Sequence, residues 1–417
     1  MLRIALVVLA LGTLAGSAAG TADASRYVRY GVQDDAWLSY GPGTFDSRLD
    51  ELDRLGTSVV RVTVVWPEVE PRQGVENWTR YDELLQGLHD RGIAPLVTLW
   101  GTPRWANGGR SPNWAPTSTS TFAGFARRAA ARYPFVHMWD IWNEPNQRRW
   151  LRPTSAKVYV QKLLNPAYVA IHRAIRSVQV AGGSTAPRAS TGGVSPVDWI
   201  SQMRAAHARL DAYAHNPYPL RPNETPTSGA CDHCTTVTMA TLDLLLRDVR
   251  KAFGARTRIW LTEYGYQTNP PDRLLGVSYA AQARYMSQAA LVAYRAPNVD
   301  VLIHYLIRDE PDPARWQSGL LTALGVRKVA YQSFRFPLTQ ATRQGLRTVL
   351  WGQIRPGHGS TTYRLQQFRN GRWSSVGGNR TTSTRGFFTR TVRAAKGALF
   401  RVWSPSDHSY SAIVTVT

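Results

Sequence analysis

VHMWDIWNEPN, residues 136–146, is an apolar run that stops abruptly at a polar pair and a proline. Val136, Met138, Trp139, Ile141 and Trp142 read as a buried strand, with Asp140 the one charge inside it. Pro145 cannot donate to a strand ladder, so the tip of this strand, Asn143 and Glu144, is given to something other than packing.

A second stretch has the same construction. In TRIWLTEYG, beginning at Thr257, the apolar Ile259, Trp260 and Leu261 lead directly into Glu263. A carboxylate at the C-terminal end of a hydrophobic strand lies, in a parallel barrel, on the face that carries chemistry. Two carboxylates facing one cavity suit glycoside hydrolysis, where one must be protonated to donate to the leaving oxygen and the other ionised to attack or to activate water. The plainer reading makes each glutamate a strand-end residue or an ion-pair partner; the repetition of the design weighs against it.

Strand signals alternate with helix signals around these two motifs, as a (β/α)8 barrel requires. Strands are expected at Tyr27–Val32, Ser58–Trp66, Ala94–Trp100, the Glu144 strand, Val178–Gly182, Ala212–Tyr218, Arg258–Glu263 and Val299–Leu306. Helices are expected near Phe45–Leu55, Tyr81–Arg91 and Thr119–Arg132, and Pro166 is expected to split the helix after the fourth strand in two. Near-continuous apolar strands such as Val299–Leu306 suit a parallel sheet covered on both faces. From about Thr339 the pattern changes to short alternating runs with turn signals, among them Asn370-Gly371 between two runs. These read as a small antiparallel β-sandwich, with Trp351, Trp373 and Trp403 in its core rather than on a sugar-binding platform. The domain plan is a signal peptide over 1–24, an α/β TIM barrel over 25–338 and the sandwich over 339–417.

WNEPN around Glu144 and LTEYG around Glu263 resemble the two signatures of the clan A glycoside hydrolases, the (β/α)8 enzymes that include the cellulase-like and β-xylosidase-like families. The resemblance covers about residues 28–338, and it implies that Glu144 is the acid/base and Glu263 the nucleophile of a retaining mechanism. It also implies that Arg61, a costly charge among Val59, Val60, Val62 and Val64, hydrogen-bonds the nucleophile; a plain structural ion pair is the other reading. By the same resemblance Asn143 binds the sugar 2-hydroxyl, and His215 and Tyr218 match a position that orients the nucleophile or the leaving group, unless they are satisfied loop residues. Trp100 and Trp316 are candidate sugar platforms, with a core role open for Trp100. Asp309, Glu310 and Asp312 read as a solvated rim. The C-terminal sandwich is similar to the fibronectin-like or immunoglobulin-like modules of secreted bacterial hydrolases. Transglycosylation, or glycan binding without turnover, are the rival readings.

Arg3, the apolar Ile4–Leu11 and the small-residue site Ala22-Asp23-Ala24 read as a signal peptide, which places the protein outside the cell or at its surface; an uncleaved anchor is the alternative. The only cysteines, Cys231 and Cys234, then favour a local disulfide over a zinc site or a redox pair. The net charge of +22 comes from 45 Arg against 5 Lys, and residues 340–417 carry half of it. So basic a module favours an anionic cell-wall or membrane surface, with a merely solvated face as the alternative. The basic residues are scattered and no binding motif accompanies them, so specific nucleic-acid binding is not expected. The expected partner is a carbohydrate substrate, the expected state a monomer, and no metal or organic cofactor is implied.

Overall fold

A computed structural model describes residues 27–231 and 234–417. The signal-peptide segment lies outside the described residues. Eight parallel strands close into a barrel in chain order: β1 (Arg29–Gln33), β2 (Val59–Val65), β3 (Ala94–Trp100), β4 (Met138–Ile141), β5 (Gln179–Thr185), β6 (Ala212–His215), β7 (Arg258–Tyr264) and β8 (Val299–Tyr305). Closure is made by β1 and β8, which pair from Arg29↔Val301 to Gln33↔Tyr305.

Side-chain alternation divides each strand between two environments. Val59, Leu96, Met138, Ala181, Ala212, Trp260 and Val301 fill the barrel interior as a separate apolar cluster. Their neighbours Val60, Val97, Trp139, Val180 and Ile259 face outward into the larger core shared with the helices. Gly31 pairs with Val59 on the barrel wall, and a Cβ there would meet Val59 O at 2.1 Å, so the close approach of β1 and β2 requires glycine. One level above the apolar plug the interior residues turn polar: Arg61 on β2, Thr98 on β3 and Asp140 on β4. This polar layer is the floor of the cleft.

The helices Phe45–Leu55 and Thr119–Arg132 form where their apolar spacing places them. Thr44 caps the first, its Oγ1 accepting from Ser47 N at 3.1 Å, and Gly56 ends it at φ 68°. Pro166 does not split the helix after β4. Helical structure runs from Ala156 to Ala174 with a π turn over Val160–Leu164, which ends two positions before the proline. Proline lacks the amide that a regular helix needs, and the wide turn ahead of it lets the helix continue.

The chain then forms two antiparallel sheets. One is β9 (Leu338–Gln344), β10 (Arg347–Gln353) and β14 (Phe387–Arg393); the other joins β11 (Thr362–Arg369), β12 (Arg372–Ser375), β15 (Leu399–Ser404) and β16 (Ser409–Tyr410), with the short β13 (Arg380–Thr381) and β17 (Val414–Thr415) at its margins. Their facing side chains, including Leu350, Leu365, Phe388, Phe400 and Val402, make a second core. Asn370 and Gly371, both at positive φ, turn β11 into β12. β9 was not legible as a strand, because LTQATRQ carries no apolar alternation beyond its first residue.

The three sandwich tryptophans differ in position. Trp351 is buried, but against the barrel: it meets Tyr294 of the helix Tyr279–Arg295 at 5.3 Å and belongs to the barrel's core cluster. Trp373 and Trp403 correct the expectation of a core role. They lie half-buried on the outer face of the larger sheet, where the Arg401 guanidinium stacks 4.3 Å from Trp373 and 3.7 Å from Tyr410. Arg355 adds a second tie to the barrel, its guanidinium 3.9 Å over Tyr30 and 4.7 Å over Phe334. Trp351→Ala is expected to destabilise the protein by roughly 3–5 kcal/mol by opening a cavity between barrel and sandwich. Thermal denaturation followed by circular dichroism checks this, and an unchanged midpoint would rule it out.

Candidate active site

Above the polar layer opens a cleft of about 1060 Å³, lined by both glutamates and by loops following β1, β2, β4, β5, β6, β7 and β8. Glu144 reaches it through a backbone contortion. Trp142 and Glu144 lie at φ 76° and 41°, a region non-glycine residues occupy at a cost of about 1–3 kcal/mol each. The bend is held by Glu144 N donating to Ser184 O at 2.9 Å. Glu263 gets there by a different device. Ile259 and Leu261 face the helices, so strict alternation would send Glu263 outward with them. The register of β7 against β8 slips between Leu261 and Tyr264, and this irregularity turns the carboxylate into the cleft.

Arg61 is the hub beneath the pair. Its Nε donates to Thr98 Oγ1 (2.9 Å), Nη1 to Gln33 Oε1 (2.6 Å) and Glu263 Oε1 (2.5 Å), and Nη2 to Asp140 Oδ2 (3.2 Å) and Asn143 Oδ1 (3.0 Å). All five guanidinium N–H groups are thus used, which a side chain only 1% exposed requires. Both readings of Arg61 therefore hold together: it bonds Glu263, and it is ion-paired to Asp140. Asp140 also accepts from Thr98 Oγ1 at 3.1 Å and Ser184 Oγ at 2.6 Å. Burial pushes its carboxyl up while Arg61 pulls it down.

The two glutamates have unequal surroundings. Glu263 receives Arg61 on one oxygen and the Tyr218 hydroxyl on the other at 3.0 Å; burial raises its carboxyl, and both donors oppose the rise. Glu144 has no cation. Its Oε1 accepts from Asn216 Nδ2 at 3.2 Å; burial, followed by repulsion from Glu263, pushes its carboxyl up to about 7 against the hydrogen bonds of Asn216 and Trp150. Residue Glu144 keeps one side open to the cleft, so water relieves part of that push until a ligand fills the space. Burial raises both carboxyls, but only Glu263 has a cation in contact to oppose the rise.

Asn216 and Asp140 are among the residues of this network that carried no assigned role in the sequence. Asn216 is fixed by Thr262 Oγ1, which donates to its Oδ1 at 2.8 Å, so that its amide nitrogen faces Glu144. Its position beside Pro217 at the end of β6 was the available signal. Asp140 was visible as a lone charge in an apolar strand, the same signal that marked Arg61.

His215 is a correction. It is fully buried away from both glutamates, with Nδ1 on Thr185 Oγ1 (2.8 Å) and Nε2 on Val237 O (3.0 Å), and burial lowers its pKa to about 4. As the last residue of β6, on the same outward side as Tyr213, it bonds the barrel wall, and the cleft contacts come from Asn216 and Tyr218. Trp100 lines the cleft with Trp150, their rings 5.6 Å apart, and Trp316 lies opposite, 5.1 Å from Tyr218 and 5.4 Å from Tyr305. Asp309 is also not a solvated rim residue: it is buried with Lys328, whose Nζ donates to Asp309 Oδ1 at 2.7 Å and to Thr268 Oγ1 at 2.8 Å, pinning the loop that carries Trp316. Cys231 and Cys234 are joined in a disulfide. Among the described residues no helix is long and apolar enough to cross a membrane.

Residues 26–184 match the model of the family Cellulase (glycosyl hydrolase family 5), a span that holds Arg61, Asn143 and Glu144. No curated protein matches the chain. Similar solved structures include a family 39 glycoside hydrolase from the gut symbiont Bacteroides cellulosilyticus WH2, at 17% identity and TM-score 0.61 over 88% of this chain and 81% of that one. A GH39 enzyme from Xanthomonas axonopodis pv. citri aligns at 14% identity and TM-score 0.57 over 94% of both chains. GH5_18 from Streptomyces cattleya, solved in complex with GlcNAc, aligns at 17% identity and TM-score 0.56 over 74% of this chain and 79% of that one. At these identities the likeness is one of fold. The family match covers β1 to β5 and includes Glu144, while Glu263 stands beyond it at the end of β7 of the same barrel.

Proposed function

We propose that the protein is a secreted, retaining glycoside hydrolase that cleaves an O-glycosidic bond by double displacement. The observation that carries this reading is the unequal pair: Glu263 bonded to a cation and a phenol, Glu144 to the neutral Asn216 amide and Trp150 side chain. Glu263 attacks the anomeric carbon while the proton on Glu144 passes to the departing oxygen, leaving a glycosyl ester on Glu263 and a carboxylate on Glu144. Glu144 then takes a proton from water as the hydroxyl attacks the anomeric carbon, breaking its bond to Glu263, which is released as an anion. Asn143, whose Oδ1 is held by Arg61, offers its amide nitrogen to a sugar hydroxyl. Trp100 and Trp316 offer ring faces to the pyranose on either side.

Intact-protein mass spectrometry after incubation with activated 2-deoxy-2-fluoro glycosides of several sugars tests this directly. An adduct that maps to Glu263 supports the mechanism; no adduct and no hydrolysis across a broad panel of glycosides and polysaccharides overturns it.

The pH dependence follows from Glu144. Protonated below about 7, it can donate; above that it cannot, so kcat/KM is expected to fall as pH rises through about 7. Glu144→Gln should remove this alkaline limb on a glycoside whose leaving group needs no protonation, such as a dinitrophenyl glycoside. A limb that persists in the variant would assign the titration to another group.

A further inference from the structure

Charge is divided across the cleft. On the side formed after β1, β2 and β8, each arginine has an acid: Arg80 pairs with Glu68 at 2.5 Å, and Arg315 lies 3.5 Å from Glu310. On the side formed after β4, β5 and β6, the lining charges are Glu144 and three arginines, Arg149, Arg188 and Arg221. Each comes from a different loop, and among the described residues none of the three has a carboxylate at ion-pair distance. In a protein whose other cleft arginines are neutralised, three unpaired ones converging on one wall are a charge waiting for a partner.

The backbones that carry them are fixed. Gln147, three residues after Glu144 and 4% exposed, donates from Nε2 to Arg188 O at 2.7 Å, and its Oε1 accepts from Ser190 N at 3.1 Å. Arg149 O accepts from Asn113 Nδ2 at 2.9 Å. The Arg221 turn is closed by Glu224, 2% exposed, whose Oε2 accepts from Leu220 N at 2.8 Å and whose N donates to Arg221 O at 3.1 Å. Mounting long side chains on pinned loops lowers the entropy lost when they close on a ligand. The wall is also the one beside Glu144, the group that in the proposed mechanism touches the leaving oxygen.

We infer that this wall is a subsite for an anionic saccharide unit on the leaving-group side of the scissile bond, with Arg149, Arg188 and Arg221 holding a sugar-borne oxyanion, either a uronate carboxylate or a sulfate ester. The inference rests on the glycosidase reading and specifies its substrate class. Guanidinium forks match both oxyanions through paired N–H donors, and such charge-assisted bonds are about twice as strong as neutral ones.

The test uses the full chain carrying Glu263→Gln, so that ligands bind without turnover. Calorimetric titration compares oligosaccharides of one backbone in neutral, uronate and sulfated forms, at low and at physiological salt. The expected result is at least about tenfold tighter binding of one acidic form than of its neutral counterpart, weakening with salt. That preference should disappear when Arg149→Gln, Arg188→Gln and Arg221→Gln are combined, and shrink in Arg221→Gln alone; all three side chains are exposed, and a thermal melt checks that the fold is kept. The uronate and sulfate arms decide which oxyanion is read. Equal or better binding of neutral sugars overturns the inference, as does an acidic preference that survives the triple variant, which would place it on the basic C-terminal module. If that happens while fluoroglycosides still label Glu263 in the native protein, the glycosidase reading stands; if no saccharide binds and nothing labels, both fall.

Discussion

Glu263→Gln is expected to lower turnover by about 10⁴–10⁶-fold with little loss of stability, because it removes the proposed nucleophile while leaving the shape of the site. The amide oxygen can still accept from Arg61 or Tyr218, and Arg61 keeps its bonds to Gln33, Thr98, Asp140 and Asn143. The substitution also deletes the negative charge that, after burial, contributes most to raising Glu144. The Glu144 carboxyl should therefore titrate lower in the variant, a shift that carbon-13 spectroscopy of labelled glutamate reads without any substrate. Turnover within tenfold of the native enzyme, or an unmoved Glu144, would mean that the two carboxyls do not work as a pair.

Arg61→Met should be the most destabilising single change in the barrel. It removes the cation between two buried carboxyls, and breaking a buried ion pair from one side costs about 3–5 kcal/mol. At roughly 2–4 °C per kcal/mol for a domain of this size, the midpoint should drop by about 10 °C. With the cation gone, burial alone acts on Glu263 and raises its carboxyl further. The acidic limb of kcat/KM should then move to higher pH as the anion becomes harder to form. Arg61→Lys separates the two effects. It restores charge but offers three donors in place of five, so stability should return in part while the acidic limb stays displaced. If Arg61→Met melts with the native protein, the ion pairs contribute nothing net.

The barrel was legible because its signals are local. Alternation and apolar runs give the strands, and β3 and the helices Phe45–Leu55 and Thr119–Arg132 lie where the pattern alone puts them. Pro166 was misread because a sequence marks the missing amide but not the π turn that accommodates it. Trp373 and Trp403 were misread because β-strand alternation gives two faces without saying which is inner. The register Phe368↔Trp373 and Trp403↔Tyr410 shows them on the outer one.

At the site the division is similar. The sequence by itself determined which residues are chemically exceptional: two carboxyls at strand ends and single charges, Arg61 and Asp140, inside apolar strands where only a partner makes them tolerable. It could not choose between His215 and its neighbours on β6. Adjacent residues at a strand end differ in direction by half a turn, and only the packed barrel shows His215 turned to Thr185 and Val237 while Asn216 and Tyr218 reach the two glutamates. Tertiary structure alone decided that Glu263 leaves the alternation of β7 at a register slip, that Arg61 joins β1, β3, β4 and β7 through five bonds, and that three arginines from separate loops share one wall. The physical reason is that propensity and hydrophobic pattern act over a few residues. The fields that divide a proton between two carboxyls, or gather unpaired cations, come instead from groups tens to hundreds of residues apart that only the closed barrel brings together.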